Sequence, residues 1–198
     1  MKIEEIYTRI TPLNRDVTVR VMTPDGYEEE TGRRYPVLYI NDGQDVFRDE
    51  ETFWGAESLR FEQYYRDYGT FMPHVILVAI ESPDDHGERT QQYSPYTKDF
   101  IVPPEKNFEP RIEGKNHGYR FLRASEIHYM DTGTNEYGRM TTKEEFLKGA
   151  QELYQNYLKH GVEPERIQYN IYPEAVHSQK EWRVRFPDAV RWIFQDCL

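Results

Sequence analysis

The chain has 198 residues, a formal charge of −10 and a single cysteine, Cys197. Its length suits one domain with a sizeable core. The acidic balance argues against nucleic acid and anionic membranes as partners, because both attract clustered Lys and Arg. The longest purely apolar run, residues 75–80, is far too short to span a bilayer. An N-terminus without a secretion signal and a lone cysteine favour a cytoplasmic location.

The first half of the chain predicts a hairpin followed by two buried strands. Alternating and β-branched residues predict antiparallel strands, whereas continuous apolar runs predict strands that are buried on both faces of a sheet. The predicted elements are strands at 3–10, 16–23, 35–40 and 75–80, a helix at 54–67, and a loop-like region at 82–116.

The second half predicts strands that alternate with helices. Its clearest helix covers 142–160, where Thr142 and Glu145 form a capping box and Gly161 follows the last turn. The other predicted elements are a short helix at 118–126, strands at 127–130 and 166–172, and a final helix at 182–194. Strands alternating with helices after a hairpin indicate an α/β sheet with helices on both faces.

Polar groups follow several of these strands, at the sheet edge where α/β proteins bind ligands. The loop Asp42-Gly43-Gln44 follows the first buried strand, Glu136 ends a Gly-Thr-Asn-Glu loop, and His177 lies before the final helix. An acid and then a histidine, each following a strand, is how α/β hydrolases present two members of a catalytic triad. The sequence therefore offers Glu136 and His177 as candidate catalytic residues.

Several stretches along the chain carry a family resemblance. They are Arg34 to Phe47 (Arg-Tyr-Pro-Val-Leu-Tyr-Ile-Asn-Asp-Gly-Gln-Asp-Val-Phe), Trp54-Gly55, 75–80, Arg89 with Tyr93-Ser94-Pro95, 119–122, 131–136 and 176–186. In this order they resemble the putative-esterase branch of the α/β-hydrolase superfamily, which is related to esterase D and to the enterochelin and feruloyl esterases.

The resemblance implies a three-layer α/β-hydrolase-like fold with a mostly parallel central sheet and an N-terminal antiparallel hairpin. It implies a small-molecule ester as substrate and no cofactor. The family's oxyanion hole would map to the backbone N–H groups of Gly43 and Gln44. Its acid would be Glu136 and its general base His177. Hydrolysis would then follow the Ser-His-acid mechanism.

One part of the family's pattern is missing. No Gly-x-Ser-x-Gly turn occurs in the sequence, and Tyr119-Arg120-Phe121-Leu122 is followed almost at once by the strand at 127–130. We therefore expect a single domain over 1–198 with an internal deletion near 122–127, which removes the nucleophile strand and the following helix. Catalysis by this chain would then be absent or impaired. The alternative is a non-catalytic module that binds a small molecule or a partner on the same scaffold.

The deletion carries structural expectations. Strands 35–41 and 127–131 flank the nucleophile strand in the parent fold, so we expect them to lie adjacent or nearly so and to pair in parallel. Exposed strand edges also invite pairing with another chain, as in a homo-oligomer. The residues expected to be buried are Val37, Leu38, Ile40, Val75, Leu77, Val78, Ile127 and Tyr129.

Substitute nucleophiles and metal sites are weakly indicated. Ser82 follows a buried strand, but Pro83 comes next and the tight glycine turn is missing. Ser58, Ser94, Ser125 and Ser178 have less favourable positions, and Cys197 lies next to the C-terminus. The six histidines show no metal-ligand spacing, so no metal site is predicted.

The last expectation concerns the candidate pair. The strands before Glu136 and His177 are joined by one crossover through the helix at 142–160. Because right-handed strand–helix–strand crossovers usually place their strands side by side, we expect the carboxylate and the imidazole to be neighbours.

Overall fold

The computed structural model describes residues 1–53, 57–84, 86–93, 98–99, 111–112, 127–138 and 141–195. Strands β1 (Lys2–Ile10), β2 (Arg15–Thr23), β3 (Val37–Asn41) and β4 (Ile76–Ile80) form one sheet with the order β1-β2-β4-β3. The β1–β2 and β2–β4 pairs are antiparallel, and the β3–β4 pair is parallel. The predicted hairpin is therefore confirmed, and it is joined directly to the buried strand β4.

Two smaller sheets follow along the chain. Strands β5 (Lys98–Asp99) and β6 (Arg111–Ile112) form a short antiparallel pair, and β7 (His128–Gly133) and β8 (Ile167–Tyr172) form a parallel pair. The helices are α1 (Phe61–Tyr68), α2 (His86–Tyr93), α3 (Lys143–Lys159) and α4 (Gln179–Ile193). Among the described residues, no helix is long and apolar enough to cross a membrane.

The main core lies between the four-stranded sheet and helices α1 and α4. Its buried cluster includes Leu77 and Ala79 of β4, Phe61 of α1 and Val190 of α4. The rings of Phe61 and Phe186 meet edge to face with their centroids 5.3 Å apart. Helix α4 thus packs on the sheet that carries the β3 loop, and its first turn follows the loop that carries His177.

Helix α3 lies on one side of the β7–β8 pair and α4 on the other. The rings of Tyr154 on α3 and Tyr169 on β8 stack with centroids 5.2 Å apart, while the Arg185 guanidinium of α4 lies over the Tyr172 ring. The capping box at the start of α3 is formed as predicted, with the Thr142 backbone N–H donating to the Glu145 carboxylate at 2.8 Å. Together the sheets and helices make a mixed α/β fold.

The predicted pairing of β3 with β7 is not found. Within the described residues, β3 forms a ladder with β4 and β7 forms a ladder with β8, and the two sheets share no ladder. The four-stranded sheet is also less parallel than expected, because two of its three pairs are antiparallel. The expected parallel pairing of these two strands was therefore wrong.

The burial predictions succeed in part. Val75 and Leu77 are fully buried, but Leu38, Ile40, Val78, Ile127 and Tyr129 are half-buried and Val37 is 40% exposed. Leu38 and Ile40 pack against the core, and the alternate residues of β3 point to the opposite face. Because β3 is an edge strand and that face is only partly covered, Val37 remains in contact with solvent.

Three element predictions need correction. The helix predicted at 54–67 begins only at Phe61, because Arg60 takes a left-handed backbone with φ of 48°. The region at 82–116 contains α2 and the β5–β6 pair, so it is not wholly a loop. The final helix begins earlier than predicted, at Gln179, because the Ser178 hydroxyl accepts the Glu181 backbone N–H as an N-cap. The short helix predicted at 118–126 lies outside the described residues.

Candidate active site

Glu136 is held in a buried position by the loop that follows β7. The side chain is only 5% exposed, and its Oε1 accepts the backbone N–H of Gly133 at 2.6 Å. This bond turns the carboxylate back onto the end of the strand from which its loop departs. One carboxylate oxygen is therefore fixed by the backbone, while the other faces a different partner.

That partner is His177, which lies between β8 and α4. The Nδ1 atom of His177 is 2.9 Å from Glu136 Oε2. An ionised carboxylate is an acceptor only, so Nδ1–H is the donor in this contact and Nε2 points away from it. The imidazole lies near Phe146, at a centroid distance of 5.4 Å, and meets Trp182 edge-on at 4.6 Å. The predicted proximity of the acid and the histidine is thus found.

The two loops meet because of a very close backbone approach. A Cβ added at Gly133 would lie 2.1 Å from the carbonyl oxygen of Ala175 and 2.7 Å from its carbonyl carbon. The same carbonyl accepts the backbone N–H of Asn135 at 3.1 Å, and Thr134 N–H donates to Tyr172 O at 3.0 Å. Gly133 is therefore required for the contact between the acid loop and the histidine loop.

A buried charge network lies beneath the pair. Arg185 of α4 places Nη1 3.1 Å from Asp131 Oδ1 and Nη2 3.9 Å from Glu136 Oε1. Burial raises the pKa of Asp131, and the Arg185 charge opposes that shift. Sequence reasoning did not identify Arg185, because an arginine on an amphipathic helix normally faces solvent and nothing in its spacing marks it as buried.

The Gly43–Gln44 segment forms a tight turn at the end of β3. A Cβ at Gly43 would lie 2.5 Å from the Ala79 carbonyl carbon, so the turn is pressed against β4. The Gln44 side chain is fully buried, where it donates to Ser82 Oγ at 3.0 Å and accepts the Ser82 backbone N–H at 3.1 Å. The pairing of Gln44 with Ser82 was not foreseen from the sequence.

This turn is linked to the element that carries the histidine. Asp45, the last residue of the turn, accepts a hydrogen bond from the Gln179 side chain at 3.2 Å. Gln179 is the first residue of α4 and lies two positions after His177. The loop after β3 and the start of α4 are therefore joined directly, which brings all four predicted site residues, Gly43, Gln44, Glu136 and His177, to one region of the fold.

The described serines all have structural hydrogen bonds. Ser82 is 1% exposed and paired with Gln44, and the Ser178 hydroxyl caps α4. The Ser58 hydroxyl donates to Asp49 Oδ1 at 3.0 Å. Ser94, Ser125 and Cys197 lie outside the described residues. Within the described part of the chain, no group of three or more His, Cys, Asp or Glu side chains is arranged to hold a metal ion.

Asp49 ties the start of α4 to the loop before α1. Its carboxylate accepts the backbone N–H and hydroxyl of Ser58, at 2.9 and 3.0 Å, and the Nε–H of Arg60 at 2.9 Å. Arg183 of α4 approaches it at 3.4 Å and donates to the Ser58 carbonyl at 2.7 Å. The hydrogen bonds from Arg60, with those from Ser58, hold the pKa of Asp49 well below its usual range.

This depressed pKa predicts a pH-dependent contribution to stability. A carboxyl whose pKa is lower in the folded state stabilises the protein above its unfolded value of about 4 and loses that contribution as the pH falls through the folded value. We expect Asp49→Asn to lower the melting temperature at pH 7, with the difference from the parent shrinking as the pH falls below about 4. Thermal melts across this range test it. Asp67→Asn, at an exposed carboxylate, is the control. If it lowered the melting temperature as much as Asp49→Asn does, the stabilising role given to the Asp49 carboxylate would be contradicted.

The comparisons with known proteins agree with the fold. The chain belongs to the "putative esterase" family, whose profile matches residues 10–125. No curated protein matches the sequence. Among solved structures, the BES protein from Bacillus cereus is similar with a TM-score of 0.61 at 13% identity, over 98% of this chain and 96% of that one.

Two further structures have comparable similarity. A ferulic acid esterase superposes with a TM-score of 0.61 at 14% identity, over 98% of this chain and 97% of that one. An IroE-like serine hydrolase from Shewanella oneidensis has a TM-score of 0.63 at 14% identity, over 98% of this chain and 81% of that one. At these identities the likeness concerns the fold, and the family match places the chain in an ester-hydrolase lineage.

Proposed function

We propose that this chain is an ester hydrolase by lineage that keeps the acid–base part of the active site and lacks the nucleophile. The observation that carries the proposal is the 2.9 Å contact between His177 Nδ1 and Glu136 Oε2. A buried carboxylate on one ring nitrogen fixes the tautomer and leaves the other nitrogen as a base. The imidazole is 47% exposed, so a substrate can approach it.

The oxyanion donors would be the backbone N–H groups of Gly43 and Gln44. These residues begin a 3-10 turn, Gly43–Asp45, and the first N–H groups of such a turn have no partner within it. Amides at this position can stabilise the oxygen that becomes negative when an ester carbonyl is attacked. Fixation of Gly43 against β4 would keep these donors in place without reorganisation.

The missing step is formation of the acyl-enzyme. In the family mechanism a serine attacks the ester carbonyl while the histidine accepts its proton. This sequence has no Gly-x-Ser-x-Gly turn, and Ser58, Ser82 and Ser178 are engaged elsewhere. The family profile also stops at residue 125, close to the proposed internal deletion at 122–127 of a single domain. Hydrolysis by this chain would then lack the covalent step.

Aryl ester hydrolysis tests this proposal. We expect the protein to hydrolyse short-chain aryl esters no faster than a His177→Ala variant, because a base without a nucleophile lacks the covalent step. A fluorophosphonate probe should not label the protein, since it reacts only with an activated serine. The measurements are initial rates and intact-protein mass.

Two results would contradict the proposal. Robust turnover that His177→Ala abolishes, together with stoichiometric probe labelling, would show that a nucleophile is present. If Ser82→Ala lost both turnover and labelling, the nucleophile would be Ser82. If neither turnover nor labelling occurs, but an ester analogue binds to the parent and this binding is lost in Trp182→Ala, the protein is instead a small-molecule binding module. The Phe146 and Trp182 rings beside His177 make that second candidate specific.

A further inference from the structure

Arg185 is the most deeply buried charged residue of the region around the candidate pair. It is 4% exposed, although arginine is rarely buried without partners. Its position is fixed from two directions, because Nε donates to the Glu181 carbonyl at 3.2 Å and the guanidinium lies over the Tyr172 ring at 4.7 Å. The cation is therefore held by its own helix and by the last residue of β8.

The guanidinium faces one half-buried and one buried carboxylate, which differ in role. Asp131 belongs to β7 and approaches Nη1 at 3.1 Å, whereas Glu136 belongs to the following loop and approaches Nη2 at 3.9 Å. Neither Nη atom has a directional hydrogen bond within the described residues. The interaction with both carboxylates is thus one of charge, which acts over these distances in a buried setting.

The arrangement also gives Glu136 a defined orientation. Its Oε1 is bonded to the Gly133 N–H and faces the Arg185 charge, and its Oε2 faces His177 Nδ1. Two ionised carboxylates and one guanidinium leave the cluster with one negative charge in excess. Without the guanidinium, the buried Glu136 carboxylate would have no cation close to it and would gain a proton or force the imidazole to hold one on each nitrogen.

We propose that Arg185 is a positioning residue that keeps Glu136 ionised and directed at His177, so that the imidazole stays neutral with its proton on Nδ1. The inference rests on the proposed function of the Glu136–His177 pair and adds a residue that neither the sequence pattern nor the family match assigns. Arg185 acts through Glu136 and does not itself touch a substrate.

The competing explanation is structural. Arg185 could serve only to neutralise Asp131, with no effect on Glu136. The two explanations differ in a double variant, Asp131→Asn/Arg185→Gln, which removes both charges of that pair and preserves the side-chain sizes approximately. If Arg185 only neutralises Asp131, the protonation of the His177 ring in this variant should match that in the parent.

The test is nitrogen-15 NMR of the His177 ring at neutral pH, which reports the proton on each nitrogen separately. We expect the neutral Nδ1–H form with a bare Nε2 to be the major form in the parent and in Asp131→Asn. It should become a minor form in Arg185→Gln and in the double variant. Arg191→Gln, on the exposed side of the same helix, is the matched control and should resemble the parent.

Each outcome decides between the explanations. A parent-like ring in the double variant overturns the role of Arg185 and leaves the Glu136–His177 pair intact. A parent that already lacks the Nδ1–H form overturns both the positioning role and the proposed pair. If Arg185→Gln alone does not fold, the double variant, which buries no unpaired Asp131 charge, supplies the decisive spectrum.

Discussion

Replacement of Gly133 by alanine is expected to cost about 3 kcal/mol of folding free energy and to separate the candidate acid from its histidine. A methyl group there would lie 2.1 Å from the Ala175 carbonyl oxygen and 3.0 Å from the Ala175 Cβ. These atoms belong to backbone and a short side chain, so neither can rotate away. The acid loop and the histidine loop must therefore move apart, which lengthens the contact between Glu136 and His177.

Denaturant unfolding and the His177 ring spectrum measure the two consequences. Gly149→Ala is the matched control, because a Cβ there meets nothing within 4 Å and the position is inside α3. Alanine in a helix interior should stabilise the protein by about 0.5–1 kcal/mol. If Gly133→Ala is tolerated as well as Gly149→Ala, the close approach is not what joins the loops.

Much of the fold was predictable because its elements have strong local signals. The hairpin, the strand at 76–80 and helix α3 follow from alternation, a continuous apolar run and a capping box, each of which depends on neighbouring residues alone. The pairing of β7 with β8 follows from the handedness of a strand–helix–strand crossover. The same rule brought Glu136 and His177 together, since their loops leave neighbouring strands.

The features that were missed depend on contacts between distant segments. Nothing local marks Arg185 as buried, because its burial arises from Asp131 and Tyr172, which lie on strands far along the chain. The late start of α1 depends on Asp49, whose bonds to Ser58 and Arg60 hold the preceding loop and leave Arg60 in its left-handed conformation. The absence of a β3–β7 ladder likewise reflects how whole sheets are placed, which no local pattern encodes.

The buried amide of Gln44 is expected to contribute more to stability than any other polar side chain in the loop after β3. Gln44→Leu leaves the buried Ser82 N–H without its partner and removes the hydrogen bond that the Ser82 hydroxyl accepts, so that the hydroxyl keeps only its 3.5 Å contact with the Pro83 carbonyl. Each unsatisfied buried group costs about 1–3 kcal/mol, so the loss should be roughly 2–4 kcal/mol. The exposed Gln63→Leu is the control, with a change within about 0.5 kcal/mol.

A double-mutant cycle with Ser82→Ala shows whether the serine is structural. Ser82→Ala alone should cost about 1–3 kcal/mol, because it leaves the Gln44 Nε2 donor unpaired while Oε1 still accepts the backbone N–H of residue 82. The double variant should lose about 1 kcal/mol less stability than the sum of the two single variants, because both single changes remove the same hydrogen bond. Additive costs would mean that the Gln44–Ser82 bond is not formed in solution. Ser82 would then be available for other chemistry, and the view that the described part of the chain holds no nucleophile would lose its structural basis.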